Sequence, residues 1–284
     1  MSFLTPLRYP GGKGRLGPWL AGLLKHNQID GGWYIEPYAG GAGAALYLLS
    51  KGCVDHIVIN DADPVVHAFW LAVVNDNEQL VKMISDTSVT IDEWYRQHEI
   101  LSKHSDYEAI EVAFATFFLN RTNRSGILSA GVIGGKSQEG SCKLDARFNK
   151  ADLCERIRNI GKMRQHISVY GLDAMELLNL VSYEAPAKSL TYFDPPYYEK
   201  GSQLYRNFYK PEDHAEIAAM VCDLQKPWVV TYDNCEPIKK LYSTAQSMDF
   251  SLFYSTHQAR TRTTEALFYG NLNLHESPYM TRRS

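Results

Sequence analysis

Ser189-Leu190-Thr191-Tyr192-Phe193-Asp194-Pro195-Pro196-Tyr197 is the stretch that decides how the rest of the chain reads. Its first five residues form a short apolar and β-branched run of the kind that fills a buried strand. Two prolines then deny a ladder its N–H donors, so the chain must turn directly after Asp194. The turn leaves a carboxylate, backbone carbonyls without a ladder role and an aromatic ring at the carboxyl end of a strand. In open α/β sheets that end is where ligands bind. The Asp194 carboxylate and the Pro195 carbonyl can accept hydrogen bonds from a planar amino group. The Tyr197 ring can stack on the heterocycle that carries it. Alone, the tetrapeptide also suits an ordinary loop, since Asp and Pro both favour turns.

Upstream, Trp33-Tyr34-Ile35-Glu36-Pro37-Tyr38-Ala39-Gly40-Gly41-Ala42-Gly43 followed by Ala44 to Leu49 reads as strand, glycine-rich turn and helix. This is the order of a nucleotide-binding βα unit. Gly41 and Gly43 are candidates for close backbone approach to a ligand, and Glu36 puts an acid at the strand end. His56-Ile57-Val58-Ile59-Asn60-Asp61 is a second strand, and its acid falls about 20 residues beyond the glycines, where ribose hydroxyls are bound in such units. The alternative for Asp61 is to cap a helix starting near Pro64. Earlier still, Tyr9-Pro10-Gly11-Gly12-Lys13 pairs two glycines with a lysine, although the Walker spacing is absent. Ile167 to Tyr170 is a further strand, leading to Asp173, which either faces a nucleoside base or caps the helix from Ala174 to Leu180. Tyr205 to Tyr209 reads as an aromatic loop and Pro211 to Leu224 as a helix. Trp228 to Tyr232 is a strand, and Phe250–Tyr254 with Ala266–Tyr269 are paired strands around His257 to Thr264.

Between residues 68 and 165 the strand–helix alternation stops. Leu80–Ser85, Ile91–Leu101 and Ile110–Leu119 carry helical periodicity. The polar, glycine-rich stretch from Asn120 to Lys136 reads as a hairpin or an ordered loop. Residues 121–165 hold ten basic and four acidic side chains, so the segment carries +6 in a chain whose net charge is −3. A basic insert in an acidic protein suits phosphate binding, with a solvated helix face around Arg156 to Arg164 taking part of the charge.

The 284 residues suffice for one large domain or two smaller ones, and 45% apolar content is ordinary for a packed core. The N-terminus lacks a basic region followed by an apolar run, and no stretch approaches membrane-spanning length. Five scattered cysteines without a Cys-x-x-Cys pair support neither a disulfide framework nor a zinc site. A reduced, cytoplasmic protein without metal is the expectation.

Tyr9-Pro10-Gly11-Gly12-Lys13, Glu36-Pro37-Tyr38 with Gly40, Gly41 and Gly43, Asp61, and Asp194-Pro195-Pro196-Tyr197 occur in the order found in Dam-like DNA adenine methyltransferases. The chain resembles this group, the alpha-group amino-methyltransferases, over nearly its whole length. The resemblance implies an α/β fold: a Rossmann-like methyltransferase sheet with an inserted, mainly helical DNA-recognition domain. It divides the chain into a catalytic first part at 1–67, a recognition domain at 68–165 and a catalytic second part at 166–284.

The resemblance further implies S-adenosylmethionine as cofactor and double-stranded DNA as partner. Tyr9 and Lys13 would contact the cofactor, Glu36 with the Gly40–Gly43 turn (Gly41 and Gly43 above all) would lie beneath its methionine portion, Asp61 would hold its ribose and Asp173 its adenine. Asp194, Pro195 and Tyr197 would be catalytic, Asp194 lying between cofactor and base. Arg121, Arg124 and Lys136 are the candidates for phosphate or base contacts. The insert departs from the maintenance methylases, so their target sequence does not transfer. An RNA or free-nucleobase amino methyltransferase is the first rival. A protein-glutamine methyltransferase typically has Asn where Asp194 stands. An inactive methylase-derived DNA-binding module would usually have lost the acid or the glycines.

Overall fold

The computed structural model describes residues 4–9, 12–199, 209–255 and 260–279, with side chains described except over 252–263. Four expectations fall partly or wholly outside these residues: Pro10-Gly11, the Tyr205–Phe208 loop, the turn from His257 and the terminal Met280–Ser284.

The sheet is built from β1 (Trp33–Glu36), β2 (His56–Asn60), β3 (Ile167–Tyr170), β4 (Ser189–Phe193), β5 (Trp228–Asp233), β6 (Gln246–Ser255) and β7 (Arg260–Gly270). Its order is β3-β2-β1-β4-β5-β7-β6. The first five strands pair in parallel, whereas β7 pairs antiparallel with β5 and with β6. The expected Rossmann-like architecture is present. The run Ser189–Phe193 is buried at every position, as a central parallel strand covered on both faces must be. The strand order reverses between β1 and β4, which opens a crevice at their carboxyl ends.

Helices α1 (Gly17–His26), α2 (Gly43–Ser50) and α3 (Pro64–Asn75) follow a short 3-10 turn at Lys13–Leu16, β1 and β2 respectively. Asp63 caps α3 by accepting from the Val65 N–H, a contact worth about 1 kcal/mol. Further helices are α4 (Asn77–Asp86), α5 (Ile91–Ser102), α6 (Ala109–Thr122) and α7 (Lys150–Gly161), then α8 (Ala174–Glu184), α9 (Pro211–Cys222) and α10 (Glu236–Leu241). The helical reading of the insert is met and extended by one turn or less at most ends. The stretch after α6 is an ordered loop with one antiparallel bridge, Asn123 to Val132.

Two apolar clusters flank the sheet. One joins α1, α2 and α3 to Phe114, Phe117, Phe118 and Leu153 of the insert and to Tyr34, Tyr192 and Leu267 of the sheet. The other lies under α8 and α9 with Ile35, Phe193 and Phe268. The insert helices therefore pack into the same apolar cluster as the sheet, and α3 runs unbroken through residue 67. No helix among the described residues is long and apolar enough to cross a membrane.

Candidate active site

Strand alternation assembles the site. Successive side chains point to opposite faces, so Glu36 shares a face with Tyr34, Asp194 continues that of Tyr192, Thr231 that of Val229, and Glu265 that of Leu267. The anchors Tyr34, Tyr192, Val229 and Leu267 all belong to the first cluster. One face of the sheet thus presents three carboxylates and a threonine hydroxyl at its carboxyl rim.

Lys13 reaches this rim from the 3-10 turn before α1. Its side chain is 3% exposed, and Nζ lies 2.8 Å from Asp194 Oδ1 and 3.4 Å from Glu265 Oε2. Nζ also lies 3.4 Å from the Tyr197 hydroxyl and over the Tyr197 ring, 5.5 Å from its centroid. The Tyr197 hydroxyl donates to Glu265 Oε1 at 2.6 Å, and Thr231 Oγ1 donates to Asp194 Oδ1 at 3.0 Å. Burial raises the Asp194 pKa; the Lys13 ammonium opposes that shift and the Glu265 carboxylate adds to it. The Tyr198 and Glu199 N–H groups both donate to Asp233, at 2.9 Å each, and fix the loop just past the tetrapeptide.

The glycine turn after β1 sits beside this cluster. Gly40 has φ +45° and Ala42 φ +46°, the left-handed conformation that tightens the turn into α2. A side chain at Gly40 would meet the Tyr9 ring at 2.6 Å, so Tyr9 closes one wall of the turn. Gly14 and Gly43 approach backbone to backbone, within 3.0 Å of where a Gly43 Cβ would stand. That approach carries Lys13 onto the β1–α2 turn. Gly41 lies against Tyr9 as well. Trp70 Nε1 of α3 donates to the Gly40 carbonyl at 2.8 Å and pins the turn from below.

Two acids, Glu36 buried and Asp61 half-buried, face the turn from the strand ends. Glu36 accepts from the Tyr34 hydroxyl at 3.0 Å, and burial pushes its carboxyl up to about 8. Asp61 accepts the Gly40 N–H at 3.0 Å on Oδ2 and the Asp63 N–H at 3.0 Å on Oδ1. Burial pushes it to about 7, against those N–H bonds. Neither has an ammonium or guanidinium partner among the described residues. Asn60 joins three strand ends: Nδ2 donates to Pro37 and Leu172 carbonyls, and Oδ1 accepts the Leu172 N–H. Asp173, next in the chain, caps α8 by accepting from the Met175 N–H at 2.8 Å, with Glu176 completing the capping box. Of its two readings, the structure displays the cap.

The basic candidates separate. Arg124 and Lys136 are exposed, and Lys136 lies over the Tyr95 ring at 5.4 Å. Arg121 is only 9% exposed, at the end of α6, where a surface contact was expected. The cause is that α6 is buried along its whole second half. Arg121 Nε has no hydrogen-bond partner among the described residues. Burial lowers its pKa, and the charges of Arg8 and Arg156 press the same way. Asn120, given no role in the sequence reading, ties this region to the N-terminal segment by accepting the Arg8 N–H and donating to the Arg8 and Gly126 carbonyls. Thr231 and Glu265 were also missed. The signal for Thr231 was a polar residue inside an otherwise apolar strand, a position that seldom goes unpaired; Glu265 follows the polar run Arg260 to Thr264 and carried no such signal.

The sheet order, the reversed β7 and the crevice above β1 and β4 define a Rossmann-like methyltransferase. The match that narrows this runs from residue 9 to 258, and through it the chain belongs to the family described as D12 class N6 adenine-specific DNA methyltransferase. The chain is also similar to the Type II methyltransferase M.MjaIII of Methanocaldococcus jannaschii, 26% identical over 175 residues. That alignment covers 58% of this chain and 58% of the relative, so it spans little more than half of the relative's length.

Proposed function

We propose that this chain moves a methyl group from S-adenosylmethionine to the exocyclic amino group of an adenine flipped out of double-stranded DNA, acting in the cytoplasm. The observation that carries the reading is Asp194 at the switch point of the sheet, held by Lys13 and Thr231 on one oxygen. Both bonds fall on Oδ1, which leaves Oδ2 to accept from the target.

The residues beside the glycine turn fit the cofactor. Glu36, buried, and Asp61, half-buried, have no cationic partner among the described residues, and each suits a group that donates hydrogen bonds or carries positive charge. Glu36 with Gly41 and Gly43 would border the methionine portion, Asp61 the ribose hydroxyls, and Asp173 the adenine, with Tyr9 closing the turn. When bound, the cofactor supplies an activated methyl on a sulfonium.

What remains for the protein is positioning and exclusion of water. Adenine's amino nitrogen is a poor nucleophile because its lone pair is delocalised into the ring. Hydrogen bonds from the amino group to Asp194 Oδ2 and the Pro195 carbonyl favour a tetrahedral nitrogen and direct its lone pair. No covalent enzyme intermediate is needed. The target atom is inaccessible within a duplex, so the base must leave the stack, and Tyr197 offers the face that receives it.

Residues 68–165 serve as the recognition part in this reading. Arg121, buried beside Arg8 and Arg156 with one nitrogen unpaired, suits a backbone phosphate, which would offset a charge otherwise held among like charges. Arg124 and Lys136, being exposed, suit contact with base edge or phosphate. Radiolabelled methyl transfer to duplex DNA and to RNA, run side by side, tests the reading. Incorporation into DNA supports it, and incorporation into RNA alone overturns it.

A further inference from the structure

Glu265 lies outside the 9–258 family match, in the middle of β7, and its side chain is 2% exposed. A carboxylate is seldom so deeply buried without a purpose for its charge. Its strand position is fixed by backbone pairing to Asp233 on one side and Phe250 on the other, so it cannot slide away from the rim. Both oxygens are directed at the active-site cluster: Oε1 accepts from the Tyr197 hydroxyl and Oε2 lies by Lys13 Nζ.

We propose that Glu265 is a positioning residue for methyl transfer: it holds the Tyr197 ring at the edge of the crevice and shares the Lys13 ammonium with Asp194. The inference rests on the reading in which Tyr197 receives the target base and Asp194 accepts from its amino group. The 2.6 Å hydrogen bond from Tyr197 to Glu265 fixes the hydroxyl end of the ring, and a stacking face must be fixed to be useful. Without the Glu265 charge, Lys13 loses an anionic neighbour, leans more on Asp194 and weakens that carboxylate as an acceptor for the amino group. Among the described residues, the charged and titratable groups around Asp194 are Lys13 from the 3-10 turn, Tyr34 and Glu36 from β1, Tyr192 from β4, Glu265 from β7 and Tyr197 from its own loop. Among these Glu265 raises the affinity of Asp194 for a proton and Lys13 lowers it.

Glu265→Gln preserves shape and removes the charge. At saturating DNA and S-adenosylmethionine it should lower kcat about tenfold, leave cofactor affinity within about threefold, and move the acid limb of the kcat–pH profile to lower pH. The shift follows because Asp194 loses an anionic neighbour while Lys13 stays. A purely structural Glu265 would scale kcat without moving the limb. Tyr197→Phe should lower kcat severalfold, and should cost less than twofold when added to Glu265→Ala, because both remove the contact between Tyr197 and Glu265. Wild-type kcat with an unmoved acid limb in Glu265→Gln overturns the inference, as does full additivity of Tyr197→Phe with Glu265→Ala. If Glu265→Gln does not fold, a silent Tyr197→Phe overturns it. Tyr197→Ala, measured alongside, separates the premises: if it leaves kcat and KM for DNA intact, the stacking reading fails, and the acid limb alone then judges the Lys13 sharing.

Discussion

Replacing Asp194 by Asn changes one oxygen for an NH2 group, and the structure says which oxygen would be lost. Lys13 Nζ and Thr231 Oγ1 both donate to Oδ1. An asparagine amide must therefore place its carbonyl oxygen there and its NH2 where Oδ2 stood. A donor would then face the donor hydrogens of the target amino group. The variant loses a charge-assisted hydrogen bond, worth about 1.5–3 kcal/mol, and gains a mismatched polar contact of about 1–2 kcal/mol. Together these amount to roughly 3–5 kcal/mol in the barrier, or about 10²–10⁴-fold in rate. The fold should survive, because the side chain is partly exposed and Lys13 keeps Glu265 as a partner. Single-turnover methyl transfer to duplex DNA isolates the chemical step from product release. Thermal unfolding and a cofactor titration confirm that the variant is intact. A folded, cofactor-binding Asp194→Asn protein that keeps more than about a tenth of the wild-type rate would refute the reasoning.

Further outcomes follow from the neighbouring residues. Asp61→Ala should weaken S-adenosylmethionine by roughly 1–3 kcal/mol in titration calorimetry, the cost of leaving ribose hydroxyls without an acceptor; unchanged affinity contradicts the ribose role. Glu36 is held near 8 and Asp61 near 7, above their unfolded values. A raised carboxyl favours the folded chain fully below its unfolded pKa, and that favour is lost as pH climbs through the folded value. Without cofactor, the melting temperature should thus fall between about pH 5 and pH 8, and Glu36→Gln should flatten the fall; an identical slope in both proteins removes Glu36 from the account. Arg124→Ala and Lys136→Ala should weaken DNA binding and leave cofactor affinity intact, with a salt slope reduced by about one for a phosphate contact. Arg121→Ala should weaken all duplexes alike; retention of both affinity and salt slope would mean that no phosphate binds there.

The parts of the fold that were legible in the sequence are those governed by local period and turn chemistry. Trp33–Glu36 with its glycines and Ser189–Phe193 with its prolines announced their strands, because a parallel strand covered on both faces reads as an apolar run. The acids after them could be placed at strand ends on the same grounds. What local pattern does not carry is the destination of a long side chain. Lys13 was read as a cofactor contact, yet its ammonium lies on Asp194, 181 residues away in sequence. The approach of Gly14 to Gly43 decides that, and it is a tertiary contact. Arg121 was read as a phosphate or base contact, yet it is only 9% exposed because α6 is buried along its second half. Glu265 was overlooked because its strand reads well without it. The charge carries meaning only once β7 is inserted beside β5 and brings it to the rim.

The central claim is that the crevice above β1 and β4 methylates the adenine amino group of DNA. Nucleoside mass spectrometry of duplex DNA incubated with the protein and methyl-labelled S-adenosylmethionine tests it most directly. Labelled N6-methyladenine should form with the wild-type protein, and at least about a hundredfold less with Asp194→Asn over the same time. Label confined to cytosine, or equal N6-methyladenine from both proteins, would contradict it.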